Sequence, residues 1–342
     1  MDWSHVLSLL TSGQGLTREQ AREAMTEIVE GRADPANIAA FVVALRMKGE
    51  THEEMTGMVE GLKAAAVPVP IDDPAGLVDI VGTGGDRSFT FNISTTAAFI
   101  AAGAGASIAK HGNRAASSRC GSADVLEGVG MVIDLEPADM AKLVAEERFG
   151  FFFAPRYHPG FRYAGPVRKA LGIPTVFNFL GPLANPVGVR RYAVGVSDQK
   201  MAERMIHVLQ MLGAESAFVV HGEDGIDEVT TSGPTYIFRL RDGEITHAEF
   251  TPEDFGIQRS KLADLAGGDV SENVRILRGV LEGEKGPRRD AAIVNAAVGL
   301  VAAGIAEGFS EGVEAATESV DSGAAAEVLE RVVKRSQELA AG

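Results

Sequence analysis

The segment LVDIVGTGGD, residues 77–86, marks the point at which the chain becomes an alternation of strands and helices. Its first five residues form an apolar run of strand length, and a glycine-rich loop follows at once. Such runs predict strands at residues 77–81, 107–109, 131–135, 149–153, 175–177, 192–196 and 218–220. Helical patterns lie between them, at residues 95–104, 138–147 and 200–212. Buried strands that alternate with helices indicate an α/β fold with a mainly parallel central sheet flanked by helices.

The residues before this segment predict a smaller all-helical N-terminal subdomain. Capping patterns mark three helix starts, at Thr17, Asp34 and Thr51. The prolines of VPVP, residues 67–70, then indicate a linker. We therefore predict a helical subdomain at residues 1–72 and an α/β domain at residues 73–342. Within the second domain, the pair Asp242-Gly243 predicts one hairpin turn.

Composition limits the classes of partner and the cellular location. The 342 residues carry a formal net charge of −15, which disfavours nonspecific binding to nucleic acid or to an anionic membrane. No apolar run reaches eighteen residues, and residues 1–5, MDWSH, do not look like an export signal. Cys120 is the single cysteine, so no intramolecular disulfide can form. These features predict a cytoplasmic protein.

The glycines of residues 82–86, GTGGD, predict a phosphate site. Without a Cβ, Gly82, Gly84 and Gly85 let backbone N–H groups approach phosphate oxygens closely. The loop matches neither the GxGxxG dinucleotide pattern nor a Walker A loop, and glycine turns after strands are common. Residues 92–96, NISTT, strengthen the interpretation because they open the next helix, where free N–H groups favour anions. The alternative is that Asn92 or Ser94 is simply an N-cap.

A second polar loop, KHGNRAASSRCGSADVLE at residues 110–127, follows the strand predicted at 107–109. Loops at the carboxyl ends of parallel strands gather at one edge of a sheet, so this loop should face the glycine loop. Its positive charges are Lys110, Arg114 and Arg119, and its hydroxyl donors are Ser117, Ser118 and Ser122. A dense group of cations in an acidic chain points to a bound anion. Cys120 has no paired base in the sequence and is interpreted as a small neighbour, not a nucleophile.

Two further groups of residues are candidates for the same site. Asp227-Glu228 follows the strand predicted at 218–220 and suits Mg²⁺, although an acidic pair is more often solvated surface. The polar residues after the strand at 149–153 offer one arginine that binds a carboxylate bidentately. They are Arg156, His158, Arg162 and Arg168. His111 is interpreted as a site residue, against the alternatives of a surface or a satisfied core histidine.

The chain resembles the anthranilate phosphoribosyltransferases over almost its whole length. The resemblance rests on ALRMKGET at 44–51, GTGGD at 82–86, FNISTTAA at 91–98, KHGNRAASSRCGSADVLE at 110–127, FFFAPRYHPGFRYAGPVRKALG at 151–172, NFLGPLANP at 178–186, HGEDGIDEVT at 221–230 and EKGPRRD at 284–290. It implies that helices from about 160–185 join the helical subdomain, through which a homodimer forms. It also implies Mg²⁺-dependent transfer of a phosphoribosyl group from phosphoribosyl pyrophosphate to anthranilate, in tryptophan biosynthesis.

The resemblance also implies roles for individual residues. For phosphoribosyl pyrophosphate these are Gly82, Thr83, Gly84, Gly85, Asp86, Thr90, Asn92, Ser94, Thr95, Lys110, Ser117, Ser118 and Ser122. For anthranilate they are Gly82, His111, Asn113, Ala154, Pro155, Phe161, Arg168 and Gly181. For two Mg²⁺ ions per subunit they are Ser94, Asp227 and Glu228. No catalytic acid or base is assigned.

The sequence departs from the common family pattern at Cys120 and at Pro174, where arginine often sits. Two alternatives to the predicted activity remain. One is a nucleoside phosphorylase of the same architecture, which uses phosphate as its nucleophile. The other is a noncatalytic paralogue that binds nucleic acid or another anion; it should have a basic groove and a degraded metal pair, whereas this chain is acidic and keeps Asp227-Glu228.

Overall fold

The computed structural model describes residues 1–115 and 118–342. The chain begins with four helices, α1 (Trp3–Thr11), α2 (Arg18–Val29), α3 (Pro35–Lys48) and α4 (His52–Ala64). The predicted caps are confirmed: Thr17 and Thr51 each form a capping box, and the Asp34 side chain accepts a hydrogen bond from the N–H of Ala36. These helices bury their apolar faces against one another, with α2 packed along α4 and α1 on α3.

A seven-stranded sheet forms the centre of the rest of the chain. Its strands are β1 (Leu77–Gly82), β2 (Ser107–Gly112), β3 (Phe149–Phe153), β4 (Arg191–Gly195), β5 (Ser216–Gly222), β6 (Thr235–Arg241) and β7 (Glu244–Phe250). Their order is β3-β2-β1-β4-β5-β6-β7. The first five in this order are parallel, and β6 and β7 add an antiparallel hairpin at one edge. The hairpin turns at Asp242 and Gly243, with φ of 53° and 78°, as the sequence predicts.

Helices cover this sheet. They are α5 (Ile93–Gly103), α6 (Ser122–Gly128), α7 (Pro137–Glu147), α8 (Ala154–Tyr157), α9 (Gly165–Leu171), α10 (Gln199–Met211), α11 (Val270–Leu281), α12 (Pro287–Ala303), α13 (Phe309–Asp321) and α14 (Ala324–Ala341). Helices α5 and α12 pack together against β1, and α10 packs on β5 and β6. A Cβ at Gly299 of α12 would collide with the Ile80 side chain, so the helix needs glycine to lie this close to the sheet. The predicted fold class is confirmed.

Two predicted strands are wrong. Residues 131–135 are extended and bury Met131, Ile133 and Leu135, but they join no ladder. The N–H of Val132 donates to the Ser336 hydroxyl of α14 instead, at 3.0 Å. Alternating burial therefore arises here without strand pairing. Residues 175–177 fall in a buried 3-10 turn, Val176–Asn178, which the Asn178 side chain caps by accepting from the N–H of Thr175.

The segment between β3 and β4 contacts the N-terminal helices. Helix α9 packs on α3, and the 3-10 turn Pro159–Tyr163 packs on α2 so closely that a Cβ at Gly160 would collide with the carbonyl of Val29. Arg46 of α3 donates to the carbonyl of Pro174 at 2.6 Å. Helix α4 also contacts α10. The exact division at residues 72 and 73 stays a prediction. No helix in the described part of the chain is both long enough and apolar enough to cross a membrane.

Candidate active site

A large cleft opens at the carboxyl ends of β1, β2 and β4. The chain adds strands to one side of β1 and then returns to add β4 on the other, and open α/β sheets bind ligands at such a switch point. The cleft has a volume of about 1440 Å³ and is lined in part by residues of the helical part, including Arg46 and Glu50. Because typical ligand pockets hold ~300–1,000 Å³, this one has room for two small molecules.

The glycine loop after β1 presents its backbone to this cleft. Gly84 and Gly85 have φ of +66° and +80°, where a side chain would be strained, and a Cβ at either would meet nothing within 4 Å. Gly82 is needed for a different reason, since a Cβ there would collide with the carboxylate of Asp227. The N–H of Thr83 donates to the carbonyl of Gly195 at 2.9 Å, which joins the loop to β4. The loop is thus held at its base and open toward the cleft.

The remainder of this loop is held by a segment that the sequence analysis missed. Arg87 and Phe89 have φ of 60° and 55°, which is uncommon for residues with a side chain. The carbonyl of Phe89 accepts from the N–H of Gly267 at 2.9 Å, and the N–H of Phe91 donates to the carbonyl of Leu265 at 2.9 Å. These backbone hydrogen bonds hold the loop in a conformation that its own sequence does not favour.

The start of α5 is open to an anion. Asn92 is the N-cap residue, but its side chain makes no capping hydrogen bond and donates instead to the carbonyl of Cys120, at 3.2 Å. Asn92 therefore occupies the N-cap position, as the alternative interpretation predicts, but its side chain does not cap the helix. The N–H of Ser94 donates to a carboxylate oxygen of Glu228 at 3.2 Å, and the buried hydroxyl of Thr95 has no partner in the described part of the chain. The helix dipole favours negative charge here.

Asp227 and Glu228 lie against this helix start and the glycine loop. Asp227 is buried, and its carboxylate accepts from the N–H of Gly84 at 2.6 Å. Burial first, and then the nearby charge of Asp86, raise the pKa of Asp227 to about 6. Burial and the charge of Asp227 raise the pKa of Glu228 well above its usual value. The interpretation of this pair as solvated surface is wrong, because both carboxylates lack the solvation that would stabilise their charge.

The chain supplies few further ligands for a metal at this point. No group of three or more His, Cys, Asp or Glu in the described residues could hold a metal ion. Mg²⁺ is commonly bound by one or two carboxylates together with water and substrate phosphates, and the Asp227-Glu228 pair fits that pattern. Val229, which follows Glu228, is held by Asn295 of α12. The Asn295 side chain accepts from the N–H of Val229 at 2.9 Å and donates to the carbonyl of Val229 at 3.1 Å.

Lys110 provides a buried positive charge beside the carboxylate pair. Its ammonium donates to the carbonyl of Ile80 and, at 3.2 Å, to the Ser94 hydroxyl. It forms no salt bridge within the described residues. Burial lowers the pKa of Lys110, and the carboxylate of Asp79 opposes that change. Asp79 is itself buried and accepts from Asn185 at 2.8 Å, and burial raises its pKa to about 7. Sequence reasoning missed Asp79, although one acidic residue inside an apolar strand was a usable indication.

The second polar loop is less cationic than its sequence suggests. Arg114 bonds to Asp124 at 3.0 Å and also to Glu127, so its charge is already neutralised. Ser118 donates to the carbonyl of Cys120 at 3.3 Å, and Ser122 donates to the carbonyl of Asn113 at 3.1 Å. Ser117 lies outside the described residues. Burial raises the pKa of the Cys120 thiol to about 11, consistent with a small neighbour and not a nucleophile.

His111 is neutral on the far side of the cleft. Its Nδ1 lies 2.9 Å from the carbonyl of Gly181, which requires a proton on Nδ1 and leaves a lone pair on Nε2. Nε2 is buried and has no partner in the described part of the chain. Burial lowers the pKa of His111 to about 3, and the neighbouring His158 ring, 5.2 Å away, acts in the same direction. This histidine therefore carries no charge, and its Nε2 is an acceptor without a partner among the described residues.

Of the candidate arginines after β3, Arg168 best fits a carboxylate. Arg156 is paired with Asp134 at 2.7 Å, and exposed Arg162 lies over the Tyr163 ring at 4.9 Å. Arg168 of α9 is half-buried, forms no salt bridge within the described residues, and lies 5.4 Å from the centre of the Phe161 ring. Burial lowers the pKa of Arg168. A half-buried guanidinium over an aromatic ring is complementary to an aromatic acid.

The cleft brings together every residue to which the family resemblance gives a role and that the structure describes, whereas Arg119 and Arg156, also candidates from the sequence, do not line it. The binding roles of these residues stay predictions. Sequence reasoning did not find the cations and the acid that line the cleft from α3, from the turn between α3 and α4, and from α10. They are Arg46, Glu50, Lys200 and Arg204. Glu50 and Arg204 lie 3.7 Å apart and pair the two parts of the molecule across the cleft.

Comparison with known proteins identifies the family. Residues 74–326 match the glycosyl transferase family, a/b domain, and residues 4–66 match its helical bundle domain. Anthranilate phosphoribosyltransferase from Roseiflexus castenholzii is 51% identical over 326 residues, which are 95% of each chain. The chain belongs to the anthranilate phosphoribosyltransferase family. The predicted family and the predicted class of enzyme, a phosphoribosyltransferase, are confirmed.

Solved members of this family have the same fold. The crystal structure of the Thermus thermophilus anthranilate phosphoribosyltransferase superposes with a TM-score of 0.92 at 40% identity, over 97% of this chain and 99% of that one. The Saccharomyces cerevisiae enzyme in complex with phosphoribosyl pyrophosphate and Mg gives 0.89 at 30% identity, over 98% of both chains. The yeast enzyme in complex with 4-fluoroanthranilate gives 0.87 at 29% identity, over 98% of this chain and 99% of that one.

Proposed function

We propose that this chain transfers the 5-phosphoribosyl group of phosphoribosyl pyrophosphate to the amino group of anthranilate, in tryptophan biosynthesis. The products are N-(5-phosphoribosyl)anthranilate and pyrophosphate. The observation that carries the proposal is one cleft with two unlike ends. One end has the open glycine loop, the start of α5 and the Asp227-Glu228 pair; the other has unpaired Arg168 over the Phe161 ring.

The first end suits the charged substrate and its leaving group. The bond from ribose C1 to pyrophosphate breaks as positive charge develops on the ribose, and the electron pair leaves with pyrophosphate. Lys110 and the positive end of the α5 dipole stabilise the negative charge that grows there, while the N–H groups of Gly84 and Ser94 donate to Asp227 and Glu228. Asp227, Glu228 and Ser94 would hold Mg²⁺, which neutralises phosphate charge when bound. Two ions per subunit are part of this proposal.

The other end suits the aromatic acid. Arg168 binds the carboxylate of anthranilate and Phe161 contacts its ring, which directs the amine toward ribose C1. Asn113 and the lone pair on Nε2 of His111 provide polar contacts for the amino group. An aromatic amine is neutral at pH 7, so it attacks C1 without a strong base and loses its proton afterwards. We therefore assign no catalytic acid or base.

We further propose a homodimer formed through the helical part. One apolar side chain on this part of the molecule supports it: Met47 at the end of α3 is 84% exposed, whereas exposed Ile173 after α9 lines the cleft. Analytical ultracentrifugation tests the proposal, because a Met47→Lys variant should sediment as a monomer if this surface forms the dimer. The predicted cytoplasmic location stays a prediction.

A coupled assay tests the activity. When purified protein is mixed with phosphoribosyl pyrophosphate, Mg²⁺ and anthranilate, the fluorescence of anthranilate should decrease as the substrate is used up. Omitting phosphoribosyl pyrophosphate or Mg²⁺ should prevent this decrease. A nucleoside phosphorylase would instead release base from a nucleoside in the presence of phosphate. No turnover in either assay, together with nucleic-acid binding, would favour the noncatalytic alternative.

A further inference from the structure

A second cavity lies against the sheet at the antiparallel edge and shares no lining residue with the cleft. Its volume is about 340 Å³. Three phenylalanines line it, with the Phe309 ring 5.6 Å from that of Phe218 and 5.1 Å from that of Phe250. An engineered apolar cavity of ~150 Å³ already holds benzene, so this one has room for a substituted ring.

Two charged side chains line this cavity, Arg239 and, on its solvent-exposed side, Glu307, which is paired with Arg241. In the register of the sheet Arg239 of β6 stands between Phe218 of β5 and Thr246 of β7, so the three side chains share one face. The guanidinium lies 5.7 Å from the centre of the Phe218 ring. Its Nε is buried without a partner, and the described residues offer it no salt bridge. Arg241, two residues along the same strand, does have a partner, Glu307 at 3.5 Å.

We propose that this cavity binds a small aromatic monocarboxylate. The ring packs among the phenylalanines, and the carboxylate receives two parallel hydrogen bonds from the guanidinium of Arg239. Both features are needed for this choice of ligand. The aromatic walls favour a flat apolar body, and an unpaired guanidinium beside apolar surface favours a single negative charge over a neutral group.

Fluorine NMR with 4-fluorobenzoate tests the proposal on the full chain. The titration is made in an Arg168→Ala background, because the cleft is itself expected to bind aromatic acids. We expect one saturable site to remain. Adding Arg239→Met should weaken that site at least tenfold. Adding Arg275→Met is the control: Arg275 is exposed, pairs with Glu272 at 2.9 Å and lines neither cavity, so the affinity should stay unchanged.

A second variant keeps the test valid if Arg239→Met does not fold. Ala248→Phe fills the cavity from exposed β7 while Arg239 stays, and it too should abolish binding. Neutral 4-fluorobenzamide should bind the Arg168→Ala protein at least tenfold more weakly than the carboxylate. Equal affinity for the two probes, undiminished binding by the Ala248→Phe protein, or no site in the Arg168→Ala protein at millimolar probe would each overturn the proposal.

Discussion

Arg168→Ala removes a half-buried guanidinium that forms no salt bridge within the described residues, and we expect it to impair the use of anthranilate far more than that of phosphoribosyl pyrophosphate. The substrate carboxylate would then lie in a partly apolar pocket without its counter-charge. Truncating one partner of such a pair costs ~2–5 kcal/mol when the other stays buried. Because Arg168 is only half-buried, the lower part of that range applies.

A loss of about 2–3 kcal/mol corresponds to a fall of roughly 30- to 150-fold in kcat/KM for anthranilate. Anthranilate fluorescence, followed while each substrate is varied in turn, measures the two KM values separately. Arg162→Ala is the matched control, since Arg162 lines the same cleft but is exposed and stacked on Tyr163. Equal losses for both substrates, or an Arg162→Ala protein as impaired as Arg168→Ala, would refute the carboxylate-binding role of Arg168.

Three further predictions concern the phosphate end of the cleft. Asp227→Asn with Glu228→Gln should lower activity by orders of magnitude while circular dichroism stays native; ordinary turnover would contradict the metal-binding role. Asp227→Asn alone should raise the free energy of unfolding at pH 7, by at most about 3 kcal/mol. Burial raises the pKa of this carboxyl from 3.8 to about 6, so its charge destabilises the folded state at pH 7, and the substitution removes that charge. That gain should shrink as the pH falls from about 6 to 4 and disappear below about pH 3, where the wild-type carboxyl is protonated in both states; denaturant titration at several pH values measures it. Gly84→Val should fold, with a loss of about 1–2 kcal/mol from its positive φ, yet bind no phosphoribosyl pyrophosphate in calorimetry; normal binding by the folded variant would refute the phosphate role of the loop.

The strands show what local pattern can predict. The run at residues 149–153 coincides with β3, since its apolar residues are flanked by helical sequence on the N-terminal side and by proline after it. The run at 131–135 has similar apolar character and the right burial, yet it pairs with no strand. Its N–H of Val132 is satisfied by Ser336, about two hundred residues away in the chain. Pairing of this kind is decided by tertiary structure, which a window of sequence does not contain.

The site shows the same limit. The sequence places the correct residues around one cleft because loops at the carboxyl ends of parallel strands must meet. It does not reveal which cations are already neutralised: Arg114 is paired with Asp124 and Glu127, whereas Arg168 is not paired within the described residues. The supporting contact of Asn295 with Val229 also joins distant parts of the chain. Salt bridges of the arginines and hydrogen bonds such as those of Asn295 depend on distances between residues far apart in the sequence, and only the fold determines those distances.

The excursion of the chain between β3 and β4 has a mechanical consequence. The backbone passes between the sheet and the helical part at residues 65–76, and it returns to contact that part through the Pro159–Tyr163 turn and α9 before β4 begins. The backbone therefore crosses between the two parts at three places: at residues 65–76, between β3 and the Pro159–Tyr163 turn, and between α9 and β4. Three connections restrict relative motion, so any opening should follow one rotation axis. Arg168 lies on the helical side of this axis and the glycine loop on the other. The distance from the amine nitrogen of anthranilate to ribose C1 would then depend on the angle between the two parts. The reaction would proceed only when rotation brings the two atoms together.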